Sequence, residues 1–142
     1  MEFQLQLIPL GMFDITDEIK EVLKYTDLVL LDIKHIDSKK CKNLVGFTNE
    51  KELAFAQYLS DNNIPVWIRQ VIVPGITDDK QDLLKLKEFI KSLKNVQKVE
   101  PIPYHELGKY KWEELGLKYP LDKIKPPSFK DMQRVKKILE LD

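Results

Sequence analysis

Two short apolar runs, separated by a stretch long enough for a helical crossover, most constrain what this chain can fold into. "DLVLLDIK" (27–34) and "IPVWIRQVIVPG" (64–75) are β-branched and nearly continuously apolar, the texture of strands buried on both faces of a parallel sheet. "NVQKVEPIPYH" (95–105) is a weaker third run. Its prolines do not belong inside a central strand, so that strand should end there. Helical patterns separate the runs: Leu53, Ala56 and Leu59 within 48–62, then Leu83, Leu86, Phe89, Ile90 and Leu93 within 78–94, with Thr77 or Asp78 placed to cap the start. Upstream, Ile15, Ile19, Val22 and Leu23 share helical spacing. Downstream, 128–141 opens on the capping signal "SFKD" and continues with Met132, Val135, Ile138 and Leu139. Residues 2–8 alternate weakly and are a candidate fourth strand.

This order predicts an α/β fold of βαβ units: parallel strands, flanking helices and right-handed crossovers. The 142 residues are expected to form a single domain. The loop-rich piece from Gly108 to Pro127 is long for a structureless connection, and such loops tend to carry function.

Composition narrows the function classes. Lys+Arg and Asp+Glu are 23 each, without the basic excess a nucleic-acid binder uses against phosphates. No apolar run approaches the roughly 18–20 residues of a membrane span. The start "MEFQLQLIPLGMF" lacks the basic and small-residue features of a signal peptide. The single cysteine, Cys41, excludes an internal disulfide and a multi-cysteine metal site built from this chain alone. A cytoplasmic location is expected. Cys41 stands in "KKCKN", among lysines that would lower its pKa, and reads best as a surface thiol without a role.

In a parallel sheet all C-terminal strand ends share one rim, and ligands bind there. The first run ends in Asp32-Ile33-Lys34, the second carries Arg69 and Val71 before "VPG", and the third ends in His105-Glu106. Side chains two apart share a face, so Asp32 projects with Lys34, and Arg69 with Val71. A carboxylate, an ammonium, a guanidinium and an imidazole on one rim suit a zwitterionic or anionic ligand. The plainer readings are a solvated strand exit for Asp32 and Lys34, a loop histidine for His105, and a structural ion pair for Arg69. An unpaired charge inside an apolar strand is costly, so Arg69 needs a partner such as Asp32. Tyr110, Trp112 and Tyr119 either line a site or, more simply, pack the tail onto the sheet. No Gly-rich phosphate loop is present.

At these residues the sequence resembles a known family. "TDLVLLDIK", "VWIRQVIVPGITDD", "PIPYHELGKYKW" and "DKIKPPS" follow, in order and spacing, the C-terminal half of the pyruvate formate-lyase activating enzymes. These are glycyl-radical-enzyme activases of the radical S-adenosylmethionine (radical-SAM) superfamily. The resemblance runs from about Asp14 to about Leu139 and leaves residues 1–13 unmatched. It implies an incomplete (β/α) barrel, of which this chain is roughly half. In the family, three cysteines bind a [4Fe–4S] cluster on which S-adenosylmethionine is cleaved, and the 5′-deoxyadenosyl radical takes hydrogen from a backbone glycine of the lyase. The resemblance implies that Asp32 helps hold a monovalent cation, that Lys34 holds the methionine part, that Arg69 and Val71 touch the cofactor, and that His105 lies near the adenine. The loop after His105 would lie close to the partner polypeptide.

Departures from the family shape the functional expectation. The cluster cysteines are absent, and the first dozen residues lack the family's second acidic cation ligand. The chain is therefore expected to be a truncated or split activase, its counterpart carried in another reading frame or gene. The alternative is a non-catalytic fragment that binds S-adenosylmethionine or docks on a glycyl-radical enzyme, pyruvate formate-lyase first among them. A third reading is an ordinary β/α enzyme acting on a small anion through Arg69, Lys34 and His105. The open edges of a half-barrel predict self-association, pairing with a missing half, or marginal stability.

Overall fold

The computed structural model describes residues 6–7, 14–106, 114–116, 121 and 123–142, with residues 6–7 described as backbone only. The elements are β1 (Gln6–Leu7), α1 (Asp17–Lys24), β2 (Leu28–Asp32), α2 (Ser38–Val45), α3 (Glu50–Asp61), β3 (Val66–Ile72), α4 (Lys80–Ser92), β4 (Val96–Pro103) and α5 (Phe129–Ile138). The four strands are parallel and lie in chain order, β1-β2-β3-β4. Strands laid down in chain order through right-handed crossovers send their helices to one face of the sheet, the arrangement of a barrel wall.

That face is the core. Val29, Leu31 and Ile33 from β2 and its exit, with Val66, Ile68 and Ile72 from β3, pack with Phe55, Ala56 and Leu59 of α3, Leu83 and Leu86 of α4, and Val135 of α5. Each large side chain buried there contributes about 1.5–3 kcal/mol. The opposite face corrects the expectation of strands buried on both sides. In β3, buried and half-buried residues alternate strictly, and Trp67, Arg69 and Val71 occupy the half-open face. The run reads as continuously apolar because Trp67 and Val71 are apolar on the open face too.

Among the described residues β4 is an edge strand, which explains its prolines. Tyr104 donates its N–H to the Ile72 carbonyl at 3.1 Å. Counting back by twos, residues 102 and 100 also face β3, so the nitrogens of Pro101 and Pro103 point to the open edge. Proline there costs no ladder bond and blunts the edge against another strand.

Local signals account for the helix boundaries. Ser128 and Asp131 form a reciprocal capping box on α5, as "SFKD" predicts. The cap of α4 is Asp79, whose carboxylate accepts from the N–H groups of Gln81 and Asp82, not Thr77 or Asp78. Thr77 instead ties the preceding turn, accepting from Val73 N–H at 2.7 Å and donating to the Val71 carbonyl at 2.8 Å. The Lys-rich segment around Cys41 is helical: α2 starts on an Asp37 cap and stops at Gly46, whose φ of 91° is left-handed. Cys41 is fully buried, not a surface thiol. Burial, with Glu52 near by, pushes its pKa up rather than down. Tyr110, Trp112, Tyr119 and most of the Gly108–Pro127 loop fall outside the described residues, as does most of the 1–13 segment.

Candidate functional site

The C-terminal rim of the sheet gathers most of the charged residues anticipated there. The register places Asp32 beside Arg69 and Arg69 beside Glu100, across β2, β3 and β4. Arg69 clasps Asp32 with both prongs of its guanidinium, Nε to Oδ1 at 2.6 Å and Nη2 to Oδ2 at 3.1 Å. Lys34 Nζ approaches the same Oδ2 at 3.5 Å. Burial alone would push the Asp32 carboxyl up. The Arg69 hydrogen bonds and the Lys34 charge outweigh it and hold the group below its ordinary range. One row further down, Lys98 lies over the Trp67 ring at 4.9 Å, a cation–π contact on the same half-open face.

Lys34 stands where β2 has stopped. The last ladder bond there runs from Ile33 N–H to the Arg69 carbonyl at 2.8 Å. Beyond it, side chains replace strand partners. Glu52 Oε1 of α3 accepts from Lys34 N–H at 3.3 Å, and Gln70 Nε2 donates to the Lys34 carbonyl at 3.3 Å. Glu52 is largely buried, and its Oε2 has no hydrogen-bond partner. Burial raises its pKa to about 7, against the opposing pull of Lys34.

A cavity of about 270 Å³ opens beside this cluster, lined among others by Asp32, Lys34, Gln70, Val71, Val73 and Tyr104. Its walls are mostly apolar, with the charged Asp32 and Lys34 among them, the usual composition of a small-molecule site. The structure thus brings Asp32, Lys34 and Val71 to one cavity, with Arg69 held to it through Asp32. His105 is exposed beyond the end of β4 and does not line the cavity; the buried Tyr104 takes that place. Sequence reasoning missed Gln70, Tyr104 and Glu52 as parts of the site. Glu52 carried a signal: it falls four and seven residues before Ala56 and Leu59, on the stripe of α3 that faces the core.

The donor set decides which cofactors these residues suit. A cationic and an anionic side chain at an apolar cavity match a zwitterionic organic ligand such as S-adenosylmethionine. An iron–sulfur cluster does not fit the residues of this chain, because three thiolates are needed and the one cysteine is sealed in the core. Among the described residues, no group of three or more His, Cys, Asp or Glu is placed to hold a metal ion.

Comparison with known proteins finds clear relatives of this chain. The chain is 48% identical over 126 residues to the pyruvate formate-lyase-activating enzyme of Streptococcus mutans, covering 89% of this chain and 48% of that protein. It is 58% identical over 107 residues to the Staphylococcus epidermidis enzyme of the same name, covering 75% and 43%. Against pyruvate formate-lyase 1-activating enzyme of Escherichia coli it is 50% identical over 122 residues, covering 86% and 50%. The chain is a homologue of the pyruvate formate-lyase activating enzymes. It spans about half the length of these relatives. No protein-family model matches it.

Solved structures place the fold in the same company. A domain of pyruvate-formate lyase-activating enzyme from Bacteroides vulgatus superposes with a TM-score of 0.71 at 24% identity, covering 88% of this chain and 69% of that one. A radical SAM methyltransferase from Sphaerobacter thermophilus gives 0.55 at 17% identity, covering 79% and 30%. The α/β architecture, a parallel sheet with flanking helices in the manner of a partial barrel, is therefore shared with radical-SAM proteins. Among the described residues, no helix is long and apolar enough to cross a membrane.

Proposed function

We propose that this chain supplies the S-adenosylmethionine-facing half of a pyruvate formate-lyase activase. The observation that carries the reading is the Lys34–Asp32–Arg69 cluster at the side of an apolar cavity, on the strand ends where such sheets bind ligands, in a homologue of the activases. Lys34 offers an ammonium to the ligand's carboxylate. Asp32 is fixed by Arg69 and offers its charge to an amine, or shares its oxygens with a monovalent cation. Val71 and Tyr104 supply apolar wall, and His105, just beyond the end of β4, is the residue that the resemblance assigns to the adenine.

In the family that the resemblance names, the cofactor supplies a hydrogen-abstracting radical once a cluster delivers an electron to it. This chain's residues do the binding and orienting; the cluster thiolates must come from outside it. Pyruvate formate-lyase, presenting a backbone glycine, is the proposed partner, and a cytoplasmic location follows from that partnership.

Isothermal titration of the chain with S-adenosylmethionine tests the binding half of the proposal. Saturable binding that weakens about tenfold in Lys34→Ala, the cost of one charge-assisted hydrogen bond, supports it. Anaerobic mixing with a cluster-bearing polypeptide and pyruvate formate-lyase, read as a glycyl radical by electron paramagnetic resonance, tests the rest.

The fragment reading is favoured by one observation, the burial of the only cysteine. It predicts cofactor or lyase binding by the chain without any added polypeptide and without a radical.

A further inference from the structure

The segment Lys34–Asp37 leaves the sheet without strand partners, yet side chains engage its backbone almost throughout. Glu52 accepts from Lys34 N–H and Gln70 donates to the Lys34 carbonyl. Asn49 Nδ2 donates to the carbonyls of both His35 and Ile36, at 3.0 and 2.7 Å. His35 Nδ1 accepts from Asp37 N–H at 3.0 Å, and its Nε2 meets the Ile76 carbonyl at 2.9 Å. Asn49 is 3% exposed and His35 1%, so these bonds form in the interior, where a lost partner is expensive.

We infer that α3, through Asn49 at its N-cap and Glu52 in its first turn, is the element that positions Lys34 in the wall of the cavity. Glu52 and Asn49 are positioning residues: neither lines the cavity, and both act through the backbone that carries the Lys34 ammonium. A strand end held only by its ladder would fray at Ile33. Here the two side chains extend the fixed frame through Ile36, and the Lys34 side chain starts from a rigid base. A capping role cannot account for Asn49, because its side chain accepts no capping bond from α3, whereas its Nδ2 donates to two carbonyls of this corner.

The test is amide hydrogen exchange by nuclear magnetic resonance on the 142-residue chain, beside S-adenosylmethionine titration; only the titration rests on the function proposed above. Glu52→Leu is expected to speed exchange at the Lys34 amide about tenfold relative to the core amide of Ile68, and to weaken cofactor binding by a similar factor. Glu52→Gln keeps an acceptor oxygen and is expected to restore both. Asn49→Ala is expected to loosen residues 35–37 before Ile68. Exchange that rises equally at Lys34 and Ile68 in both variants overturns the inference, since that is loss of general stability. Unchanged exchange at Lys34 in Glu52→Leu also overturns it. Absence of cofactor binding by the unmodified chain would overturn the functional proposal, while the exchange measurement would still decide the positioning role.

Discussion

Arg69 and Asp32 face each other at one level of adjacent parallel strands and are joined by two hydrogen bonds, 2.6 and 3.1 Å long. Both side chains are largely sheltered, at 24% and 20% exposure, so removing one partner leaves a poorly hydrated charge behind. Arg69→Ala should cost about 2 kcal/mol in denaturant unfolding. Arg69→Lys should recover only part of it, because an ammonium cannot reproduce the two-pronged geometry.

The same pair predicts acid sensitivity. The folded state holds Asp32 below its ordinary carboxyl range of about 3.8. Its contribution to stability is therefore present above that value and is lost as pH falls through the lower, folded-state one. Stability measured from pH 6 downward should decline less steeply in Asp32→Asn than in the unmodified chain.

Glu52 predicts the opposite slope in another window. Its folded value of about 7 lies above the ordinary 4.5, so the folded chain holds the extra proton between those values. Stability is then full below about 4.5 and falls as pH rises to about 7, by on the order of 3 kcal/mol. Glu52→Gln should flatten that interval in urea titrations at successive pH values. An unchanged slope would show that Glu52 is not the group responsible.

Cys41 should behave as a core residue. A thiol reagent should label it in the native chain only as fast as the chain opens, and rapidly in denaturant. Cys41→Ser, which puts a hydroxyl into that space, should cost about 1–3 kcal/mol.

Pro101 and Pro103 face the open edge of β4, and each withholds a donor from any strand that approaches. Replacing both with Val should restore those donors and increase self-association, read by sedimentation velocity. Unchanged sedimentation would show that the prolines do not protect that edge.

What the sequence revealed followed the strength of its physical signals. β2 and β3 stood out because short, β-branched and nearly continuous apolar runs, Leu28–Leu31 and Val66–Ile68 with Val71–Val73, have few other uses in a folded chain, and the Arg69–Asp32 pair followed from the cost of a lone charge in such a strand. The half-open face was illegible because Trp67 and Val71 are apolar although half-exposed. α2 was obscured by its lysines: local charge suggested a surface thiol, whereas helical geometry turns Cys41 inward and the lysines outward. His105 was expected with the other rim residues from its position at a strand end, but alternation along β4 gives the cavity to Tyr104. Glu52 acts through a backbone bond to a residue 18 positions away, which no local pattern encodes.

Whether this rim binds the cofactor is decided by calorimetric titration of the chain with S-adenosylmethionine, run in parallel on Lys34→Ala and on Val22→Ala, a substitution on the exposed outer side of α1. Saturable binding is expected for the unmodified chain and Val22→Ala, with binding about tenfold weaker in Lys34→Ala. No heat of binding in the unmodified chain, or equal affinity in all three, would contradict the assignment of this rim to the cofactor.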